Sequence, residues 1–213
     1  MELKSKIPAG QERKRLFISA KTGAREREKT IKLAMENECD TLVFSLNDIV
    51  FSGKKNLKYM KLAKKYEINI EAGGCDLPLF LPGRLFMLNR DLFRMAQGKR
   101  KNDHHFCPTN PKTISIIAEN AQILLTRAVQ VVTKPRIFHL LPDKGHENTW
   151  CQCPACRAFS PAEQYLMAVN TAADIIAKLD PQAILVYIDF DTEPEAEGVC
   201  PRKNTVALNK FIF

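Results

Sequence analysis

Residues 139–156, HLLPDKGHENTWCQCPAC, decide how this chain is read. They continue a short apolar run, RIFHLL at 136–141, that predicts a buried strand. Directly after it, Asp143, His146, Glu147, Trp150, Cys151, Cys153 and Cys156 crowd into one loop. Parallel α/β proteins build their sites in such loops, because strand carboxyl ends hold them rigidly on one face. Outward from this stretch, both flanks repeat a single unit, a strand followed by a helix.

Upstream, residues 16–19 predict a first strand after a basic leader, residues 1–15. Residues 24–38 carry Ile31, Ala34 and Met35 at i, i+3 and i+4, which predicts an amphipathic helix. TLVFSL at 41–46 predicts a second strand, and 56–66 a second helix with Leu57, Met60 and Ala63 facing inward. A third strand at 68–71 runs into Gly73–Gly74, a pair that suits a tight turn or a close backbone approach. The long connection 75–109 is of the kind that carries function and is expected to hold a short helix around 91–97. Asn110 can then cap, with Pro111 at the first position, a helix whose Ile117, Ala121, Leu124 and Ala128 keep helical spacing.

Downstream, Ser160-Pro161-Ala162-Glu163 is a capping box for a helix with Leu166, Val169, Ala173 and Ile176 on one stripe. AILVYI at 183–188 predicts a fifth strand, with Asp189, Asp191, Glu193 and Glu195 at its carboxyl end. Residues 205–208 begin a sixth.

Strand–helix alternation predicts an α/β fold on a parallel sheet. One architecture is a (β/α) barrel of TIM type, incomplete at about six βα units, since closure takes eight and typically about 250 residues. The alternative is an open doubly wound sheet, which six strands would complete. Polar candidates follow strands two, three, four and five, whereas a doubly wound sheet gathers its site at one switch point. The barrel is therefore favoured, as a single domain over 16–213 behind the leader.

Hydrophobic residues make up 45% and charged residues 26% of the chain, a soluble globular balance. No apolar run approaches the roughly 20 residues of a membrane span, and the first residues have no apolar signal region. The expectation is a cytoplasmic protein with no membrane partner. The net charge of +8 is spread over separate clusters without interleaved aromatics, which disfavours nucleic acid and suits an anionic small ligand such as a uronic acid. In that compartment the seven cysteines read as thiols or metal ligands, not disulfides. The C-x-C-x-x-C of Cys151, Cys153 and Cys156 fits three thiolates of a structural zinc, with His146 or Cys200 as fourth ligand and no position open for catalysis. A competing reading packs the three thiols under Trp150.

Four segments carry a family resemblance: GGCDL at 73–77, LFRM at 92–95, HFCPTNP at 105–111 and WCQCPACR at 150–157. Together they resemble an uncharacterised family of glycosidase-like TIM barrels, similar in layout to α-glucuronidases, over most of the chain from about residue 16. The resemblance implies a barrel with its site at the strand carboxyl ends. The chain departs from the pattern in stopping before the last barrel strands and in lacking the β domain that often precedes such barrels. No cofactor is required by that chemistry.

Within this frame Asp143, just past strand four, is the first candidate acid. HLLPD at 139–143 is loosely similar to the H-x-G pattern that precedes an acid pair in hexosaminidase-type barrels. Glycoside hydrolysis needs two carboxylates, one protonated and one ionised. Glu147 is the nearest partner, and Asp76 and Asp189 follow neighbouring strands. His105 can bond a sugar hydroxyl, and Arg94 can fork onto a sugar carboxylate or pair with Asp103. Trp150 can stack on a sugar or anchor its loop.

The expected function is a glycoside hydrolase-like protein acting on or binding an acidic or complex saccharide. Its alternative is a non-catalytic carbohydrate-binding or zinc-stabilised module left by truncation of the barrel. An open sheet edge at 205–213 would also invite self-association.

Overall fold

Apolar runs rich in Val, Ile, Leu and Phe alternate with amphipathic segments, and the computed structural model turns that alternation into one parallel sheet. It describes residues 14–18, 24–51, 53–103, 105–142, 150–188 and 198–208. In chain order the elements are β1 (Arg15–Ile18), α1 (Ala24–Glu36), β2 (Thr41–Phe44), α2 (Leu46–Phe51), α3 (Gly53–Lys65), β3 (Asn69–Gly74), α4 (Leu77–Phe80), β4 (Met95–Ala96), β5 (Lys99–Arg100), α5 (Pro111–Ala128), β6 (Ile137–Leu140), α6 (Pro161–Leu179), β7 (Ile184–Ile188) and β8 (Thr205–Leu208).

The main sheet has six strands in the order β1-β2-β3-β6-β7-β8, all parallel. Strand order follows chain order without the reversal that defines a doubly wound sheet. The core accordingly gathers on one side. Ile18, Leu42, Phe44 and Ile70 pack with Ile31 and Ala34 of α1 and Tyr59, Met60 and Ala63 of α3. Ala72, Phe138, Leu140, Leu185 and Tyr187 pack with α5 and α6.

Residues at the intervening strand positions point to the other face, as the two-residue period demands. Val43, Glu71, Ile137, His139 and Val186 are nonetheless buried. Curvature accounts for this. The Phe17 ring of β1 meets the His139 ring of β6 edge to face, with centroids 5.3 Å apart. These strands are three steps apart in the sheet. On a flat sheet three steps of about 4.8 Å would hold the two side chains about 14 Å apart. The sheet is therefore bent into an arc with Phe17 and His139 on its concave side.

Gly73 permits the closest backbone approach in that arc. It pairs with His139 in the β3–β6 register. Its φ is +127°, and a Cβ there would fall 1.9 Å from the His139 carbonyl oxygen. Two expectations are corrected by local geometry. No helix forms over 91–97; Arg90–Leu92 is a single 3₁₀ turn, and β4 and β5 then make an antiparallel hairpin. Gln97 and Gly98 both take positive φ, the two-residue turn whose twist matches a hairpin. The second strand stops at Phe44, because Leu46 already opens α2 with its amide bonded to Asp76 Oδ2 at 3.1 Å.

Candidate functional site

Two clusters of reactive side chains form among the described residues. The first lies on the concave face. Glu71 Oε2 accepts a hydrogen bond from Arg15 Nε at 2.7 Å and lies 2.6 Å from His139 Nε2. Burial pushes Glu71 upward, but the hydrogen bonds from His139 and Arg15, with the Arg15 charge, prevail and hold the carboxyl at about 2. Burial dominates at His139 and lowers its pKa, against the pull of the Glu71 carboxylate. The imidazole is then neutral and donates Nε2–H to Glu71, an assignment drawn from the network. Nδ1 is left as a buried acceptor with no partner among the described residues. Among the described residues Glu71 and His139 are closed to solvent while Arg15 is partly exposed, so the trio orders the interior of the arc beneath the strand ends.

The second cluster is built of thiols. Cys151, Cys153 and Cys156 come together as their spacing suggested, and the fourth member is Cys107. All four are buried and their Sγ atoms lie within 4.8 Å of one another. Cys107 Sγ is 3.8 Å from Cys153 Sγ and 3.7 Å from Cys156 Sγ. Cys200, expected as a fourth ligand, is exposed on the β7–β8 connection, where its carbonyl accepts from Asn170. The other expected ligand, His146, lies outside the described residues. Cys107 arrives because its amide bonds to the Leu92 carbonyl at 2.9 Å, folding the 92–107 segment back on itself.

The surroundings of the thiols are polar and ordered. The Met95 amide donates to Cys151 Sγ at 3.3 Å, and Arg100 Nη1 lies 3.9 Å from the same sulfur. Thr109 Oγ1 is 3.1 Å from Cys156 Sγ. Gln164 of α6 accepts from the Cys151 amide at 3.0 Å and donates to the carbonyls of Cys151 and Cys156, each at 3.2 Å. The thiols do not titrate alike. Cys107 is drawn down to about 4, first by the hydrogen bond from Cys151 and, against burial, by Arg100 and Thr109. Cys151 is pushed up by its hydrogen bond to Cys107 and by burial, and burial pushes Cys156 up to about 11.

The remaining candidates stand as follows. Asp76 is buried and occupied at least in part by the amide of Leu46. Arg94 pairs with Asp103, Nε to Oδ2 at 2.7 Å, which is the second of its two expected roles. His105 is half-buried, and its carbonyl accepts from the Arg94 amide at 3.0 Å. Trp150 packs edge to face on Tyr165, centroids 6.4 Å apart, against the main core. Asp143, Glu147 and Asp189 lie outside the described residues. The strand ends that carry Asp76 and lead to Asp143 are bonded together. The Leu141 amide donates to the Gly74 carbonyl at 2.8 Å, and Cys75 Sγ to the Pro142 carbonyl at 3.2 Å.

Glu71, His139 and Cys107 were not singled out from the sequence. Their signals are a charged and a polar residue within apolar strands, NIEAGG and IFHL, and a cysteine within the otherwise irregular HFCPTNP.

No protein-family model matches the chain, and no curated protein matches it. Among solved structures it is similar to the virulence factor SghA from Agrobacterium tumefaciens, at 14% identity and a TM-score of 0.44, over 78% of this chain and 36% of that one. It is also similar to the Nostoc punctiforme debranching enzyme, solved from an acarbose-soaked crystal, at 12% identity and a TM-score of 0.38, over 78% of this chain and 40% of that one. The chain thus spans less than half the length of either structure. No helix among the described residues is long and apolar enough to cross a membrane.

Proposed function

We propose that this chain is the greater part of a glycosidase-like (β/α) barrel that takes an acidic or complex saccharide at the carboxyl ends of its strands. The observation that carries the reading is curvature. An arc that brings Phe17 of β1 against His139 of β6, in unreversed strand order, is the geometry of a barrel wall. In such a wall every strand end opens on one rim, and that rim is where barrels hold their chemistry.

The bonds from Leu141 to Gly74 and from Cys75 to Pro142 support a rim on which Asp76 and Asp143 start from adjacent points. Asp143 is the central acid of this reading and Glu147 its partner, with Asp76, His105 and Asp189 contributing to the pocket. Its basic surface suits a saccharide carrying a carboxylate, with a net charge of +8. Arg94 and Trp150 take supporting parts, since each is already engaged by the protein.

Replacing Asp143 with Asn tests the assignment. Hydrolysis of aryl glycosides and uronic-acid oligosaccharides should fall by roughly 100-fold or more, the scale of a lost acid–base group, with an unchanged thermal melt. Equal turnover by variant and parent would remove Asp143 from the site. A second reading, a non-catalytic carbohydrate-binding or zinc-stabilised module, is supported by the four buried thiols, whose sulfurs lie within 4.8 Å of one another as a structural metal would need. It predicts a melt raised by the saccharide with no turnover in either protein.

A further inference from the structure

We propose that Cys107, Cys151, Cys153 and Cys156 bind one zinc ion as four thiolates, and that this ion staples the 92–109 segment to the turn that precedes α6. The proposal stands apart from any reading of the saccharide site.

Distance is the first argument. A zinc–sulfur bond of about 2.3 Å puts the sulfurs of a regular tetrahedron about 3.8 Å apart. The Cys107–Cys153 and Cys107–Cys156 separations are 3.8 and 3.7 Å, and all four sulfurs fall within 4.8 Å of one another. A disulfide would bring two sulfurs to about 2.05 Å, and all seven cysteines are free.

The outer shell is the second argument. Four thiolates on a divalent ion leave a net charge of −2, which needs donors and a nearby cation. The Met95 amide and the Thr109 hydroxyl face Cys151 and Cys156 at 3.3 and 3.1 Å, and the Arg100 guanidinium lies 3.9 Å from Cys151. Such outer partners orient metal ligands and hold their charge. Soft sulfur in a tetrahedral set selects zinc over hard cations.

The third argument is preorganisation. Gln164, itself buried, holds the Cys151–Cys156 turn from α6 by three hydrogen bonds. The Gln152 amide bonds to the Met95 carbonyl at 2.7 Å, so the two ligand segments already meet. On binding, the thiol protons leave to solvent and four zinc–sulfur bonds form, with no change of oxidation state. With every position filled by protein, the ion is structural.

The test is metal analysis of the full chain purified under reducing conditions without added metal, followed by exchange into cobalt(II). About one zinc per chain is expected, with intense thiolate-to-cobalt charge transfer and tetrahedral visible bands. Cys107→Ser should lose stoichiometric metal, whereas Cys107→His should keep it with shifted cobalt bands. Cys200→Ser should change neither metal content nor spectrum. Arg100→Ala should weaken zinc binding roughly 10–100-fold.

Metal-free protein that also fails to develop tetrahedral cobalt bands would overturn the proposal, as would stoichiometric iron in place of zinc. Loss of metal in Cys200→Ser with full retention in Cys107→Ser would overturn the ligand set.

Discussion

Single residues set the electrostatics of this protein from inside the arc. Glu71 and His139 show 0% and 1% side-chain exposure, so neither carries out chemistry on solvent as it stands. Their protonation nonetheless governs stability in acid. Glu71 falls from 4.5 in the unfolded chain to about 2 in the fold, so its contribution is complete above pH 4.5 and lost as pH falls toward about 2. His139 acts in the same sense, because below about pH 6.5 the unfolded chain accepts a proton that the buried imidazole resists. Stability should therefore decline from pH 6.5 downward, and more steeply below 4.5. Replacing Glu71 with Gln leaves Arg15 and His139 without their carboxylate, which should cost roughly 3–5 kcal/mol near neutrality. The same change should flatten the acid limb below pH 4.5. Denaturant midpoints measured across pH for parent and variant check both effects, and an identical acid limb in the two proteins would exclude Glu71 as its source.

At the scale of elements, short-range chemistry explains most of what forms. Asn110 caps α5 through the Lys112 amide, and Ser160 and Glu163 close a reciprocal capping box on α6. Both helices start where their sequence signals put them, because a cap joins atoms two or three residues apart. The β3–β6 pairing has a different origin, resting on the missing side chain of Gly73. Gly73→Ala should disrupt that pairing, since the new methyl would meet backbone at 1.9 Å and the φ of +127° is strained for any L side chain. Gly98, at φ +72°, has nothing within 4 Å of a Cβ position, so Gly98→Ala carries only the conformational cost, about 1–2 kcal/mol. Chemical denaturation of the two variants separates these effects: Gly73→Ala should be clearly the less stable. Equal losses would mean that β6 moves aside at little cost.

Across the whole molecule, stability should be graded from the middle of the sheet outward. β3, β6 and β7 each pair on both sides and are covered by α5 and α6, whereas β1 and β8 pair on one side only among the described residues. Amide hydrogen exchange should accordingly be slowest at Leu185, Val186 and Phe138 and faster in β1 and β8. Uniform protection of all six strands would point to edges covered by another surface. This architecture was legible in the sequence as far as local signals reach. Periodicity, caps and β-rich runs determined the parallel strand–helix succession, and the C-x-C-x-x-C spacing marked three of the four clustered thiols. The helix expected at 91–97 failed because a two-residue turn with positive φ at Gln97 and Gly98 outweighed a weak helical pattern. Only the tertiary structure decided that Arg15, Glu71 and His139 meet, and that Cys107, instead of Cys200, joins the other cysteines. Glu71 and His139 are 68 residues apart, and Cys107 and Cys156 are 49 apart. Contacts at that separation depend on strand register, sheet curvature and the return of a long loop. Those quantities are set by packing over the whole chain, and no short stretch of residues encodes them.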